Sequence, residues 1–296
     1  MISILSYLAA ALIVPHVLLG IVAKTKAAVA GRKGPPVLQT LHDVVKLLRK
    51  GAVYSATTTA TFRLGPVATL AAILTAAALV PLGGAPLVSF NGDAILFAYL
   101  FALGRFATVA AALDTGSSFE GMGSSREVAF SSLAEPALIL TFASLARQAG
   151  SLSLAGMFAP HPGPNSAAGA ILAAGSLFVV LLAENSRIPV DDPSTHLELT
   201  MIHEVMVLDH SGPDLAFILH GAALKLALMS ILLARLVVPE IPGLGAWGSL
   251  ALGAFAAAVA IGLVESGMAR LRLSRVPQLL VASICAAAFG LLLTLR

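Results

Sequence analysis

Charged side chains are scarce in this chain, yet one stretch gathers them. From Glu184 to Pro213 it holds Glu184, Arg187, Asp191, Asp192, Glu198, Glu204 and Asp209, with His196, His203 and His210 among them. Apolar runs over 167–183 and 215–238 flank it. Carboxylates packed this closely raise one another's pKa, which suits them to moving protons near neutral pH. A solvated acidic face is the plainer alternative. The histidines do not point to zinc: His203-Glu204 is followed by Val205-Met206-Val207, with no histidine four residues after His203. No metal ligand set is assigned.

Further ionisable residues fall inside apolar runs. Glu135 precedes Pro136 in one of them. A carboxylate at such a depth costs about 2.5–3.5 kcal/mol, so it must face a polar interior or a partner. It serves either a proton path or hydrogen bonds within a helix bundle. Arg105, Lys225, Arg235 and Glu265 are similarly placed. Lys225 is mid-run and requires an anionic partner or water, whereas Arg235 and Glu265 lie near run ends and are expected to snorkel. The stretch 114–127 is rich in Gly and Ser but lacks the Lys-Ser/Thr of a phosphate loop. Its small residues suggest close backbone packing. Asp192 suits a helix cap with Pro193 at the first helical position. That predicts a helix from Pro193 to about Asp209, with His196, His203 and His210 along one face.

The elements that position these residues follow from composition. The chain has 296 residues, of which 58% are hydrophobic and 11% charged, against roughly 25% charged in soluble domains. Mean hydropathy is +0.93. Apolar runs near membrane length predict an all-α integral membrane protein, one polytopic domain over 1–296. Eight spans are expected, at about 2–23, 62–82, 93–113, 128–148, 167–184, 214–238, 247–268 and 277–295. The runs are continuous and not alternating, which argues against a β-barrel. Abundant Ala and Gly suit closely packed helices. The single cysteine, Cys285, leaves no disulfide framework and no Cys-held cluster in this chain. The start, lacking a basic leader, reads as a first span and not as a cleaved signal peptide.

Basic residues set the expected orientation. Lys24, Lys26, Arg32, Lys33, Lys46, Arg49 and Lys50 fall after the first span, and Arg126, Arg187, Arg270, Arg272 and Arg275 in alternate later loops. The intervening loops 83–92, 149–166 and 239–246 carry no Lys or Arg and read as outward connectors. Loops 24–61, 114–127, 185–213 and 269–276 are therefore expected to face the cytoplasm, with both termini outside. Because the basic residues flank spans, the pI near 9.2 does not imply nucleic acid. Within loop 24–61, Leu38, Leu41, Val44, Val45 and Leu48 form an apolar stripe opposite Gln39, Asp43, Lys46 and Arg49. This predicts an amphipathic helix over 37–50 in the interface plane; an ordinary surface loop is the alternative.

The run Glu184-Asn185-Ser186-Arg187-Ile188-Pro189-Val190-Asp191-Asp192-Pro193, followed by Thr195 to Glu204, closely resembles the formate hydrogenlyase subunit 4 group. That group is similar to subunit 1 of respiratory complex I. Arg32-Lys33-Gly34-Pro35 with Gln39, Asp43 and Lys46 resembles the family's first cytoplasmic loop, and Glu135 matches a carboxylate in its fourth helix. The resemblance covers nearly the whole chain, including the eight spans. It implies a non-catalytic anchor subunit in a bacterial or archaeal inner membrane. The expected partners are hydrogenase-like large and small subunits, iron–sulfur subunits and antiporter-like membrane subunits, beside the lipid bilayer. Iron–sulfur clusters and NiFe belong to those partners, and no cofactor is expected on this chain.

Carried over by motif, Glu135, Glu184, Arg187, Asp191, Asp192, Glu198 and Glu204 form the acidic entry of a path for protons or sodium, and Lys225 joins them on its mid-run position. Arg32, Gln39, Asp43 and Lys46 shape a docking loop. The alternative is the quinone-binding subunit 1 of a complex I-type NADH:quinone oxidoreductase, with a tunnel between the first span, the amphipathic helix and the sixth span. Val190-Asp191-Asp192-Pro193-Ser194 departs from the complex I pattern at this place and favours the hydrogenase branch. A stand-alone transporter is the third reading; the paired repeats and broken helices typical of transporters are not found.

Overall fold

The computed structural model describes residues 2–82, 84–159, 166–192 and 201–295. Its elements are helices: α1 Ile2–Val29, α2 Gln39–Leu48, α3 Ala60–Leu79, α4 Asp93–Asp114, α5 Ser118–Ala149, α6 Leu154–Met157, α7 Ser166–Glu184, α8 Gly212–Val237, α9 Gly245–Gly267 and α10 Val276–Thr294. Among the described residues seven stretches are long and apolar enough to cross a membrane, and α7 adds a shorter apolar helix. The chain is an all-α membrane protein with about eight spans. With no water in the bilayer core, helices satisfy their own backbone groups, which is why apolar runs of this length take this form. Pro15, Pro66 and Pro136 lie inside α1, α3 and α5.

Helix α8 runs through the middle, buried almost continuously from Ala223 to Ala234. Around it pack α3 with α4, α5 with α7 and α10, and α1 with α9. Small residues permit the closest approaches. A Cβ at Gly65 of α3 would lie 2.6 Å from Ala111 Cβ of α4, and one at Gly253 of α9 would lie 2.7 Å from Ala234 Cβ of α8.

The two ends of the bundle differ. At one end Asp93, fully buried, accepts from the backbone N–H of Leu154 (2.6 Å) and Phe90 (3.2 Å) and from the hydroxyls of Ser153 (3.0 Å) and Ser89 (3.3 Å). The side-chain oxygen of Asn91 also accepts from Leu152 N–H (3.0 Å). These bonds lace the connection before α4 to the one after α5. The opposite end carries the loops with the acidic motif and most of the basic residues.

At that second end the chain after α1 doubles back along it. A Cβ at Gly34 would meet Ala27 Cβ at 2.6 Å, and one at Gly20 would overlap the carbonyl oxygen of Val37 at 2.0 Å. Helix α2 then leans against α8 and leads to Gly51, whose carbonyl lies 2.6 Å from where a Gly212 Cβ would sit. Val44 is buried, while Leu38, Val45 and Leu48 of the apolar stripe stay exposed.

Two expectations change. The stretch 114–127 is not a loop: α5 already begins at Ser118, leaving only Thr115, Gly116 and Ser117 between helices. Gly123 explains its small residues, because a Cβ there would strike Val205 Cγ1 at 2.3 Å and the Ile202 carbonyl at 2.8 Å. The helix predicted from Pro193 to Asp209 is not found in its described part. Residues 193–200, including His196 and Glu198, lie outside the described residues. Residues Glu204–Val207 form only a 3-10 turn. Asp191 takes the N–H groups of Ile202 and His203, and Met201, Ile202, Val205 and Met206 are all buried, so the segment is pinned as a compact turn.

Candidate functional site

Arg105 is the centre of the polar interior. It stands on α4, deep between apolar neighbours, with its side chain 9% exposed. Its guanidinium pairs with Glu135 of α5, with Glu184 at the end of α7 (2.5 Å), and at longer range with Glu127 of α5 (3.6 Å). Glu184 turns its other oxygen to Lys225 of α8, 3.6 Å away. Four helices thus meet through three carboxylates and two cations. A guanidinium fork suits this, since its planar donors can serve several carboxylates at once. Lys225 finds the anionic partner that its mid-run position requires.

Small cavities adjoin the cluster. One of about 30 Å³ is bounded by Arg105, Glu127, His203, Lys225 and the hydroxyl-bearing Thr69 and Thr108. Thr69 and Thr108 are themselves 3.1 Å apart, joining α3 to α4. Another of about 10 Å³ touches Glu127, Glu184 and Asp191. About 10–15 Å³ holds one water, so the larger cavity has space for a water between Glu127 and the His203–Lys225 side. Among the described residues Arg105 Nε and Glu184 Oε2 have no hydrogen-bond partner, only the longer ion pairs to Glu127 and Lys225.

The motif loop links this cluster to the surface. Arg187 reaches Glu265 of α9 (3.3 Å), and Lys26 of α1 pairs with the same carboxylate (2.8 Å). The Glu265 side chain is wholly buried, so it does not snorkel as its place near a helix end suggests; two cations from other elements hold it inside. Arg235 does stay near the end of α8, donating to the Pro81 carbonyl (3.3 Å). Asp191 is buried and accepts from Ile202 N–H and His203 N–H, each at 3.2 Å, and from Asp192 N–H at 2.9 Å, while Arg270 pairs with it at 2.9 Å. Burial pushes the Asp191 carboxyl above its ordinary range, outweighing Arg270 and the three N–H donors. His203 is lowered to about 4, first by burial and then by the nearby Lys225 charge, so its ring is neutral at pH 7.

Asp192 is half-buried beside Asp191, and Glu204 opens the 3-10 turn. A further group lies at the same end: His210 stacks on Phe62 at 4.0 Å, and Glu120 accepts Asp209 N–H at 3.4 Å. Arg32, Gln39, Asp43 and Lys46 are all exposed and stand apart from the acidic cluster. Gln39 donates to Asp43 across one turn of α2 (3.0 Å).

Sequence reasoning singled out Glu135, Glu184, Asp191 and Lys225, and the structure brings Glu135, Glu184 and Lys225 around one arginine. It missed Glu127 and underrated Arg105. The signal was present: an arginine halfway along a 22-residue apolar helix needs carboxylates within reach. Among the described residues no group of three or more His, Cys, Asp or Glu could hold a metal.

Between α1, α2 and α8 a second polar contact occurs. His16 is 3.1 Å from Thr40 Oγ1 and 3.0 Å from His220, on whose ring it stacks.

Comparisons with known proteins agree on the architecture. A family described as NADH dehydrogenase matches residues 2–295. Formate hydrogenlyase subunit 4 of Escherichia coli is 30% identical over 285 residues, 90% of this chain and 89% of that protein. Hydrogenase-4 component C of the same organism is 33% identical over 223 residues, 74% of this chain and 70% of that one. Among solved structures, a chain of the membrane-bound sulfane sulfur reductase, an archaeal respiratory membrane complex, superposes with a TM-score of 0.84. It is 21% identical, and the match covers 98% of this chain and 97% of that one.

Proposed function

The chain belongs to the NADH dehydrogenase family, and on that premise we propose that it is the membrane anchor and coupling subunit of a NiFe-hydrogenase complex of the formate hydrogenlyase type. It docks a peripheral redox module at the inner-membrane surface and links electron transfer there to movement of protons or sodium. The observation that carries this reading is the count around Arg105: among the described residues, Glu127, Glu135 and Glu184 pair with Arg105 and Lys225. Three carboxylates against two cations leave one negative charge unanswered in a medium where charge is expensive. A proton taken up and released by the group answers it.

The motif loop is the input. Asp191 ties the turn at Ile202 and His203 to Arg270, and both Asp191 and His203 border cavities that touch Glu127. A change of charge in a module docked on this loop alters the preference of Asp191 for its proton, and the 202–203 turn moves with it. The exposed Arg32, Gln39, Asp43 and Lys46, with the exposed Val53 and Leu208 nearby in the same end, supply the docking face. The iron–sulfur and nickel–iron centres belong to the docked subunits, because the single cysteine of this chain, Cys285, stands alone and exposed on α10 and cannot hold a cluster.

Quinone binding by this chain is the second reading. His16, Thr40 and His220 meet in the seam between α1, α2 and α8 where such a tunnel is expected. Replacement of Glu127 by Gln, and of Asp191 or Glu198 by Ala, tests the proposal. The complex purified in mild detergent keeps its redox subunits and its electron-transfer activity. Ion movement into vesicles, measured with a pH-sensitive dye and by sodium uptake, is lost. Unchanged ion movement in all three variants would remove the basis of the coupling role.

A further inference from the structure

In the half of the bundle away from the acidic motif, α1, α3, α8 and α9 leave a crevice of about 110 Å³. Its lining is apolar, and alanines make much of it: Ala10 and Ala11 of α1, Ala77 of α3, Ala227 of α8, and Ala251 and Ala254 of α9. Trp247 and Ala251 line it and are exposed, so it opens on the outside of the bundle. An apolar cavity of about 150 Å³ stays dry and takes up benzene, so this one suits a length of hydrocarbon and not water. Arg235 stands at one end of it. Ile231, a helical turn before Arg235, lines the crevice, and so does Leu82, next to the Pro81 carbonyl that accepts from Arg235 (3.3 Å). Among the described residues Arg235 Nε is buried without a hydrogen-bond partner. The exposed Glu240, in the connection after α8, is near enough for its charge to be felt at Arg235. From Leu224, which also lines the crevice, to Arg235 is roughly 16 Å along a helix. That is one leaflet's share of a hydrocarbon core of about 30 Å. Trp247, in the first turn of α9, marks the level of the membrane–water boundary.

We propose that the crevice binds a zwitterionic phospholipid: one acyl chain lies along the alanines, Arg235 holds the phosphate, and the headgroup ammonium turns to Glu240. This goes beyond the coupling role and needs only that the chain span a membrane. The acyl chain restores the dispersion contacts that an empty crevice forfeits. A guanidinium offers paired donors that match phosphate oxygens. The Pro81 carbonyl takes one donor of Arg235 and leaves the others, Nε among them, for the phosphate. With Glu240 close by, the formal charge of the site is zero, so a headgroup carrying both signs matches it better than a purely anionic one.

The complex is isolated intact from membranes in mild detergent and incubated with a phosphatidylethanolamine that carries a photoreactive diazirine on one acyl chain. The expected result is adducts on the crevice segments 10–15, 224–231 and 247–254 of this chain. Unlabelled phosphatidylethanolamine displaces the probe. Diacylglycerol, which has no phosphate, and phosphatidylglycerol, which has no ammonium, each require about ten times more, the scale of one charge-assisted hydrogen bond. Arg235→Gln lowers the yield at these segments about tenfold, and Arg235→Lys restores part of it. Ala251→Leu fills the crevice from its exposed margin, leaves the buried core alone and abolishes the adducts. Labelling around Phe289, exposed on α10, measures general lipid contact and stays the same in every variant. Undiminished yield in Arg235→Gln or Ala251→Leu, or equal competition by diacylglycerol or phosphatidylglycerol, overturns the inference. Ion movement is not read in this experiment, so the proposed function stands or falls separately.

Discussion

Arg105 holds carboxylates from two other helices, so its loss is felt at all of them. Arg105→Met leaves buried carboxylates without their cation and is expected to cost about 3–5 kcal/mol, read as a lowered thermal midpoint in detergent. Arg105→Lys keeps the charge but loses the fork, and falls between the two. His203 makes a pH prediction with a definite sign. Its folded pKa, about 4, lies below the unfolded value near 6.5. Its stabilising contribution is therefore complete above pH 6.5 and is lost as pH falls through 4. His203→Gln should flatten the thermal midpoint between pH 6.5 and 4; an unaltered profile would show that the ring is charged or solvent-facing. Asp191 runs the other way: its raised carboxyl favours folding below the unfolded pKa, and that contribution is lost as pH rises. At this scale the sequence was informative where a lone charge broke an apolar run, as at Arg105, Glu135 and Lys225. It was silent about Glu127, which sits in a polar-looking stretch, and it sent Glu265 to the interface because its partners lie 239 residues away at Lys26 and 78 away at Arg187.

The elements depend on close approaches that single substitutions can test. A side chain at Gly20 meets the backbone of Val37, and one at Gly123 meets Val205 and Ile202. Gly20→Val and Gly123→Val are each expected to destabilise by about 1–3 kcal/mol through overpacking, the first freeing α2 from α1 and the second the 3-10 turn from α5. Gly175→Ala, with nothing within 4 Å, serves as the near-neutral control in the same melting assay. Hydropathy made the long spans legible, because a run of about 20 apolar residues has few other fates. The amphipathic period of α2 was equally plain. What it hid was that the preceding chain doubles back along α1, a contact made by Gly20 and a carbonyl oxygen and so carrying no hydrophobic signature. The helix expected after Pro193 failed for a related reason: its cap signals were local, whereas Asp191 and four buried apolar side chains fix the described part of the segment as a turn.

For the molecule as a whole, charge asymmetry between the two ends predicts orientation. In a Cys285→Ser background, a cysteine at Ser55 should resist a membrane-impermeant maleimide in right-side-out vesicles, and one at Leu87 should react. The reverse labelling would place the acidic loop outside, away from any cytoplasmic redox module. The ends also differ mechanically. The one at Asp93 is fastened by a buried carboxylate whose two oxygens are shared among backbone and hydroxyl donors of two connections. The other is held by ion pairs and a turn. The fastened end is thus a fulcrum: a tilt of α4 or α5 about it has its smallest sweep at Asp93 and grows along both helices, past Arg105 and Glu135, toward Asp114 and Ser118.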